Sequence, residues 1–178
     1  MAAAQLRRER LRRQYRPSDV RLLFIGESPP ASGRFFYQRD SGLYRAIRDA
    51  FRAVYPSITD ADFLPVFQAA GCYLIDSCLQ PVDRLNPASR RAACQAGERL
   101  LSRTIGMLQP QAIVTVVRSI RVNVERAASC AGWDGPLIDL PYPGRWTRHR
   151  EIFLAQLVPV LRTRLTLLDR NVRRPGPG

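Results

Sequence analysis

The chain has 178 residues, 46% of them hydrophobic, with 28 basic against 15 acidic residues and a formal charge of +13. The length suits one domain burying roughly 70% of its unfolded surface. The apolar content excludes disorder throughout, and no apolar run approaches the ~20 residues that span a bilayer, so no membrane partner is expected. Every basic residue other than His149 is arginine.

In chain order, residues 1–17 read as a basic N-terminal arm carrying Arg7, Arg8, Arg10, Arg12, Arg13 and Arg16. Leu6, Leu11 and Tyr15 make only a thin apolar stripe. The segment is either a mobile arm or a solvated helix, and the arm would add nonspecific affinity for phosphate. Leu22 to Ile25 then form a strand buried on both faces. It stops abruptly in Gly26-Glu27-Ser28-Pro29-Pro30, a turn that exposes backbone N–H groups where open parallel sheets bind ligands. Arg34, Phe35, Phe36 and Tyr37 follow. Flat rings beside backbone donors suit a planar ligand such as a base; an ordinary aromatic loop is the other reading.

An amphipathic helix is expected over 41–55, capped by Asp40 or Ser41, with Leu43, Ile47, Ala50, Phe51 and Val54 on one face. A short helix over 59–70 places Phe63, Val66 and Phe67 inward. Cys72 to Asp76 is the second strand. A helix over 88–107, a β-branched strand over 112–117 and a helix over 119–131 follow. Leu137 to Leu140 is a fourth strand running into Pro141-Tyr142-Pro143-Gly144. A last helix spans 148–168, and residues 169–178 make a disordered tail. Strands alternating with helices predict one α/β domain over 18–168, a three-layer αβα sandwich with a four-stranded, mainly parallel sheet.

Cys72, Cys78, Cys94 and Cys130 show no zinc spacing, so buried thiols are expected, with no metal and no disulfide. The basic excess makes nucleic acid the leading partner, ahead of an anionic membrane surface or an acidic protein. With no apolar segment after the basic N-terminus, a secretory signal is not expected. A cytoplasmic, nucleoid-associated monomer is the expectation.

Three strand ends together carry a resemblance: Gly26-Glu27-Ser28-Pro29-Pro30, Ile75-Asp76, and Leu140-Pro141-Tyr142-Pro143-Gly144-Arg145. In order and spacing they resemble the uracil-DNA glycosylase superfamily, over roughly Val20 to Leu161. The resemblance implies a DNA repair glycosylase without cofactor, acting on a flipped, deaminated base in DNA. It implies that Gly26 and Pro29 present backbone to the base, that Phe36 stacks on it, with Tyr37 the neighbouring alternative, and that Asp76 reads its edge. Arg34 and the loop of Pro141, Pro143, Gly144, Arg145 and Trp146 would grip DNA. Arg145 or Trp146 would fill the gap left by the flipped nucleotide, and Arg148, His149 and Arg150 would lie against the backbone.

Two positions depart from the family pattern. Ser28 stands where the family has Asp or Asn, and Leu140 where it has a His that donates to the uracil oxygen. The candidate catalytic groups are therefore Asp76, Ser28 and Glu27. An ionised Asp76 only accepts hydrogen bonds, so it would favour a base presenting N–H groups, or would itself activate water. A strand-end Asp that merely caps its turn is the structural alternative. Two further readings stay open: a noncatalytic nucleic-acid-binding module, and a small-molecule hydrolase using Ser28, with His149 completing a triad.

Overall fold

The computed structural model describes residues 2–144 and 146–165. Four apolar runs form the strands β1 (Leu22–Gly26), β2 (Cys72–Asp76), β3 (Ala112–Thr115) and β4 (Leu137–Asp139). They lie in the order β2-β1-β3-β4, and every pairing is parallel. β1 is central and buried at all five positions, as its unbroken apolar run requires.

Among the described residues six α-helices surround the sheet: α1 (Ala2–Gln14), α2 (Gly42–Val54), α3 (Phe63–Ala69), α4 (Pro87–Leu108), α5 (Arg121–Cys130) and α6 (Thr147–Leu165). The chain moves from β1 to β2 in one direction and from β2 through β3 to β4 in the other. With right-handed crossovers that reversal sends α2 and α3 to one face of the sheet and α4 and α5 to the opposite face. The helix pairings follow the same division, with α2 against α6 and α4 against α5. The architecture is the expected α/β sandwich, its sheet parallel throughout.

Helix ends follow local chemistry. Ser41, rather than Asp40, caps α2, its side chain accepting from the Tyr44 N–H at 3.1 Å. Asp40 instead takes the Phe35 N–H at 2.7 Å and braces the aromatic loop. Asn86 caps α4, with Pro87 at the first helical position where no N–H is needed. The helix expected over 119–131 opens as a 3-10 turn, Arg118–Ile120, before α5. The expected end of the last helix and the tail over 169–178 lie outside the described residues.

The N-terminal arm is where the structure departs from expectation. Of the two expectations the helix holds: residues 2–14 form one with a largely exposed outer face, but it is also seated on the domain. Leu11 and Tyr15 pack against the core, and the Tyr15 ring stacks on Tyr37 with centroids 5.5 Å apart. Gln68 Nε2 donates to the carbonyls of Gln14, at the helix end, and Arg16, just past it. Arg12, one of six arginines counted as solvated, is only 7% exposed. The thin stripe sufficed because the domain offers one ring and one carboxylate at matching positions.

No helix among the described residues is long and apolar enough to cross a membrane.

Candidate functional site

The reversal of strand order at β1 sends the chain to opposite sides of the sheet and opens a crevice at the carboxyl ends of the strands. A cleft of about 700 Å³ lies there. Its walls come from the ends of β1, β2 and β3, from the aromatic loop before α2, and from the loop joining β4 to α6. Gly26, Glu27, Ser28, Pro29, Arg34, Phe36, Asp76, Pro143 and Gly144 line it, so most of the residues singled out by the resemblance come together. Tyr37, Pro141, Trp146, Arg148 and His149 do not line it, and Arg145 lies outside the described residues.

Gly26 and Asp76 are partners in the parallel register, and their contact explains the glycine. A Cβ built on Gly26 would stand 2.8 Å from Asp76 Oδ1, so any side chain there would displace the carboxylate. Asp76 Oδ2 accepts from Arg12 Nη2 at 3.2 Å, and both side chains are more than nine-tenths buried. Burial pushes the Asp76 carboxyl up from its ordinary value, while Arg12 first and then Arg8 pull it back. Asp76 is thus not a simple turn cap: its nearest partner is a buried guanidinium from another element.

Phe36 forms a wall of the cleft at 3% exposure. Its ring is wedged among Tyr37, Phe67, Tyr44 and Phe63, with centroids 5.0, 5.3, 5.7 and 6.3 Å away. Tyr37, the alternative stacker, is corrected by the structure. Its hydroxyl donates to the Leu74 carbonyl at 3.0 Å and accepts the Leu74 N–H at 2.8 Å. β2 is an edge strand, and this one side chain satisfies backbone groups that no neighbouring strand reaches. Burial, the dominant influence, pushes the Tyr37 phenol well above its ordinary value, so it stays neutral.

Two candidate catalytic groups carry structural duties. Both carboxylate oxygens of Glu27 are held by Arg90 of α4, Nε on Oε1 at 2.7 Å and Nη2 on Oε2. The fork makes the pair bidentate and rigid, so Glu27 is not a carboxylate standing free in the cleft. Ser28 Oγ accepts the Val82 N–H at 3.2 Å and ties the first turn to the loop after β2. Its hydroxyl proton remains for a ligand. Leu140 is buried, and its N–H donates to the Thr115 carbonyl at 2.9 Å, so it extends the sheet and does not enter the cleft.

The β4–α6 loop is the open wall. Tyr142 is 52% and Trp146 73% exposed. Gly144 adopts φ +60, and its bare Cα lies against His149, where a Cβ would stand 2.8 Å from Nδ1. The triad reading fails on placement, because His149 packs on this loop and does not line the cleft with Ser28.

Sequence reasoning passed over the lining groups Arg45, Asp83 and Arg90, and named Tyr142 only as part of its loop. Arg45 and Arg90 sit in early turns of α2 and α4, where nothing in a basic chain distinguishes them from other arginines. Asp83 accepts the Ala31 N–H at 3.0 Å and braces the proline turn. Arg150, expected on a phosphate, lines the cleft and is paired with Asp49.

The thiols are free; Cys72, Cys78 and Cys94 are buried as expected, whereas Cys130, the last residue of α5, is exposed. Cys78 and Cys94 have sulfurs 3.6 Å apart behind Glu27, and burial above all pushes Cys94 up to about 12, so it stays protonated. Among the described residues no group of three or more His, Cys, Asp or Glu is placed to hold a metal.

No protein-family model matches the chain, and no curated protein matches it at a significant level.

Proposed function

We propose that the chain is a DNA repair glycosylase of the uracil-DNA glycosylase type, hydrolysing the N-glycosidic bond of a flipped, deaminated base. The observation that carries the reading is the convergence of Gly26, Phe36, Asp76 and Gly144 on one cleft at the carboxyl ends of a parallel sheet. A volume of about 700 Å³ accommodates a nucleobase and its sugar.

In this reading the base enters against the Phe36 wall, and the backbone of the Gly26–Pro30 turn meets its polar edge. Asp76 accepts from the base. Arg34, Arg45 and Arg150 supply the positive rim that grips phosphates. Tyr142 and Trp146, exposed on the β4–α6 loop, are the groups available to fill the space the extruded nucleotide leaves. Extrusion costs a few kcal/mol, which grip and stacking offset. Cleavage leaves negative charge on the base and positive charge on the sugar. Backbone N–H groups and the Ser28 hydroxyl are the donors at hand for the base, and the Arg90-held Glu27 is the fixed negative charge of the wall.

A second reading, a noncatalytic DNA-binding protein with the same cleft, is favoured by the duties of Glu27 and Ser28 and by the buried Leu140. Product formation separates the two. The test is an alkali-cleavage assay on labelled oligonucleotides carrying uracil, hypoxanthine, xanthine or an undamaged base, in single strands and mismatched duplexes. Wild type is run beside Asp76→Ala, with circular dichroism confirming the fold. Cleavage at one damaged base, abolished in the variant, supports the enzyme. Salt-dependent DNA binding without cleavage leaves the binding protein, and neither binding nor cleavage overturns both.

A further inference from the structure

We propose that Arg12, from the N-terminal helix, is the positioning residue of the cleft carboxylate: paired on Asp76 Oδ2, it leaves Oδ1 as a fixed acceptor that selects bases donating a ring N–H. The inference rests on the base-binding reading of the cleft given above.

Three observations carry it. First, the Arg12 side chain reaches across the domain to Asp76, 64 positions away in sequence, and its guanidinium carbon also stands 5.7 Å over the Phe35 ring. Second, the placement is a costly way to gain stability. Arg12 Nε is the one buried side-chain nitrogen or oxygen among the described residues that has no hydrogen-bond partner. A buried ion pair with an unmet donor does no better than apolar packing of the same volume. Third, Asp76 Oδ1 takes no hydrogen bond from the described residues yet is not sealed off like Arg12 Nε, and it adjoins Gly26 on the cleft wall.

The chemistry of the base edge gives this arrangement a use. Deamination converts a ring nitrogen that accepts, as in cytosine and adenine, into a ring N–H that donates, as in uracil and hypoxanthine. An ionised carboxylate accepts from that N–H and repels the lone pair of the parent base. A neutral carboxyl, being both donor and acceptor, pairs with either edge. Holding Asp76 ionised is therefore what makes it discriminate. Burial works against ionisation, and the cations opposing it are Arg12 and Arg8, both on α1. The other titratable groups near Asp76 are Tyr37 and Cys78, both pushed up and therefore neutral, and Glu9, also on α1, whose carboxylate takes the other Arg12 terminal nitrogen, Nη1, at 3.0 Å.

The test uses the full chain and two readouts. The Asp76 side-chain carboxyl is titrated by carbon NMR in wild type, Arg12→Gln, Arg12→Lys and Arg8→Gln. Binding of free hypoxanthine and free adenine is followed by ligand-observed NMR from pH 5 to 8. The Arg12→Gln midpoint is expected to move up by about 1–3 pH units, with Arg12→Lys returning it most of the way and Arg8→Gln moving it less. Wild type should prefer hypoxanthine by about tenfold, and Arg12→Gln should lose that preference in the acidic half of the range. Should Arg12→Gln not fold, an upward shift in Arg8→Gln supports the electrostatic hold and an unmoved midpoint overturns it. An unmoved midpoint in folded Arg12→Gln overturns the proposal, as does equal binding of the two bases by wild type. A shifted midpoint with no binding of either base would fail the base-binding reading and the selection built on it, while leaving Arg12 as the residue that holds Asp76 ionised.

Discussion

The two walls of the cleft are built on opposite principles. On the sheet side, Gly26, Phe36 and Asp76 sit in dense packing, each fixed by a neighbour: Asp76 by Arg12, Phe36 by four other rings, Gly26 by the carboxylate against its Cα. On the loop side, Tyr142 stands mostly in solvent beside Gly144 at φ +60, and Trp146, farther along the same loop and outside the cleft lining, is more exposed still. A wall made of core residues holds its geometry before any ligand arrives, and its residues answer to stability as well as binding. A wall made of exposed loop answers to binding alone.

That contrast is sharpest under truncation. Phe36→Ala should cost about 3–5 kcal/mol, because it empties the middle of an aromatic cluster. Chemical denaturation measures it, and a cost below 1 kcal/mol would show that the ring belongs to the open wall instead. Gly26→Ala should cost about 1–3 kcal/mol, since the new methyl forces Asp76 Oδ1 aside. Base binding should fall with it, while salt-dependent attraction to DNA stays as in wild type.

Asp76 adds a pH signature to the buried wall. Its folded value is raised, so the stability it contributes is present below its ordinary value and is lost as pH rises through the folded value. Compared with Asp76→Asn, wild type should therefore lose ground as pH rises from the ordinary aspartate value through the raised folded one, in parallel urea denaturations. A difference that does not vary with pH would mean that Arg12 fully offsets burial.

The smallest structural effect should come from the open wall. Trp146→Ala should change stability by no more than about 0.5 kcal/mol. It should still weaken binding to single-stranded or gapped DNA by about 1–3 kcal/mol if the indole stacks on bases. Fluorescence anisotropy at several salt concentrations checks this, with the salt slope expected to stay constant because no phosphate contact is lost. Loss of stability without loss of affinity would reverse the assignment of the two walls.

Much of this arrangement was legible in order along the chain. The run Leu22–Ile25, bounded by Gly26 and two prolines, could only be a buried strand ending in a turn, and the β-branched run at Ala112 was equally plain. The parallel sheet followed from alternation of strands with helices. Asp76 stood out because a carboxylate ends an otherwise apolar strand. Tyr37 was misplaced because an aromatic loop does not declare which ring turns inward. That depends on β2 being an edge strand whose backbone needs a partner.

What the sequence by itself determined was periodic or local: strand and helix identity, a polar cap at 40 or 41, the proline turn, the positive charge. Which arginines matter was decided only by tertiary structure. Arg12 and Arg90 are indistinguishable in sequence from more than two dozen others, yet one is buried on Asp76 and the other clamps Glu27. Periodicity marks a side chain as polar and says nothing of its partner, since an ion pair 64 or 63 residues apart is a property of how helices pack on the sheet. Burial then sets the strength of each pair, because the dielectric that decides it exists only once the chain has folded.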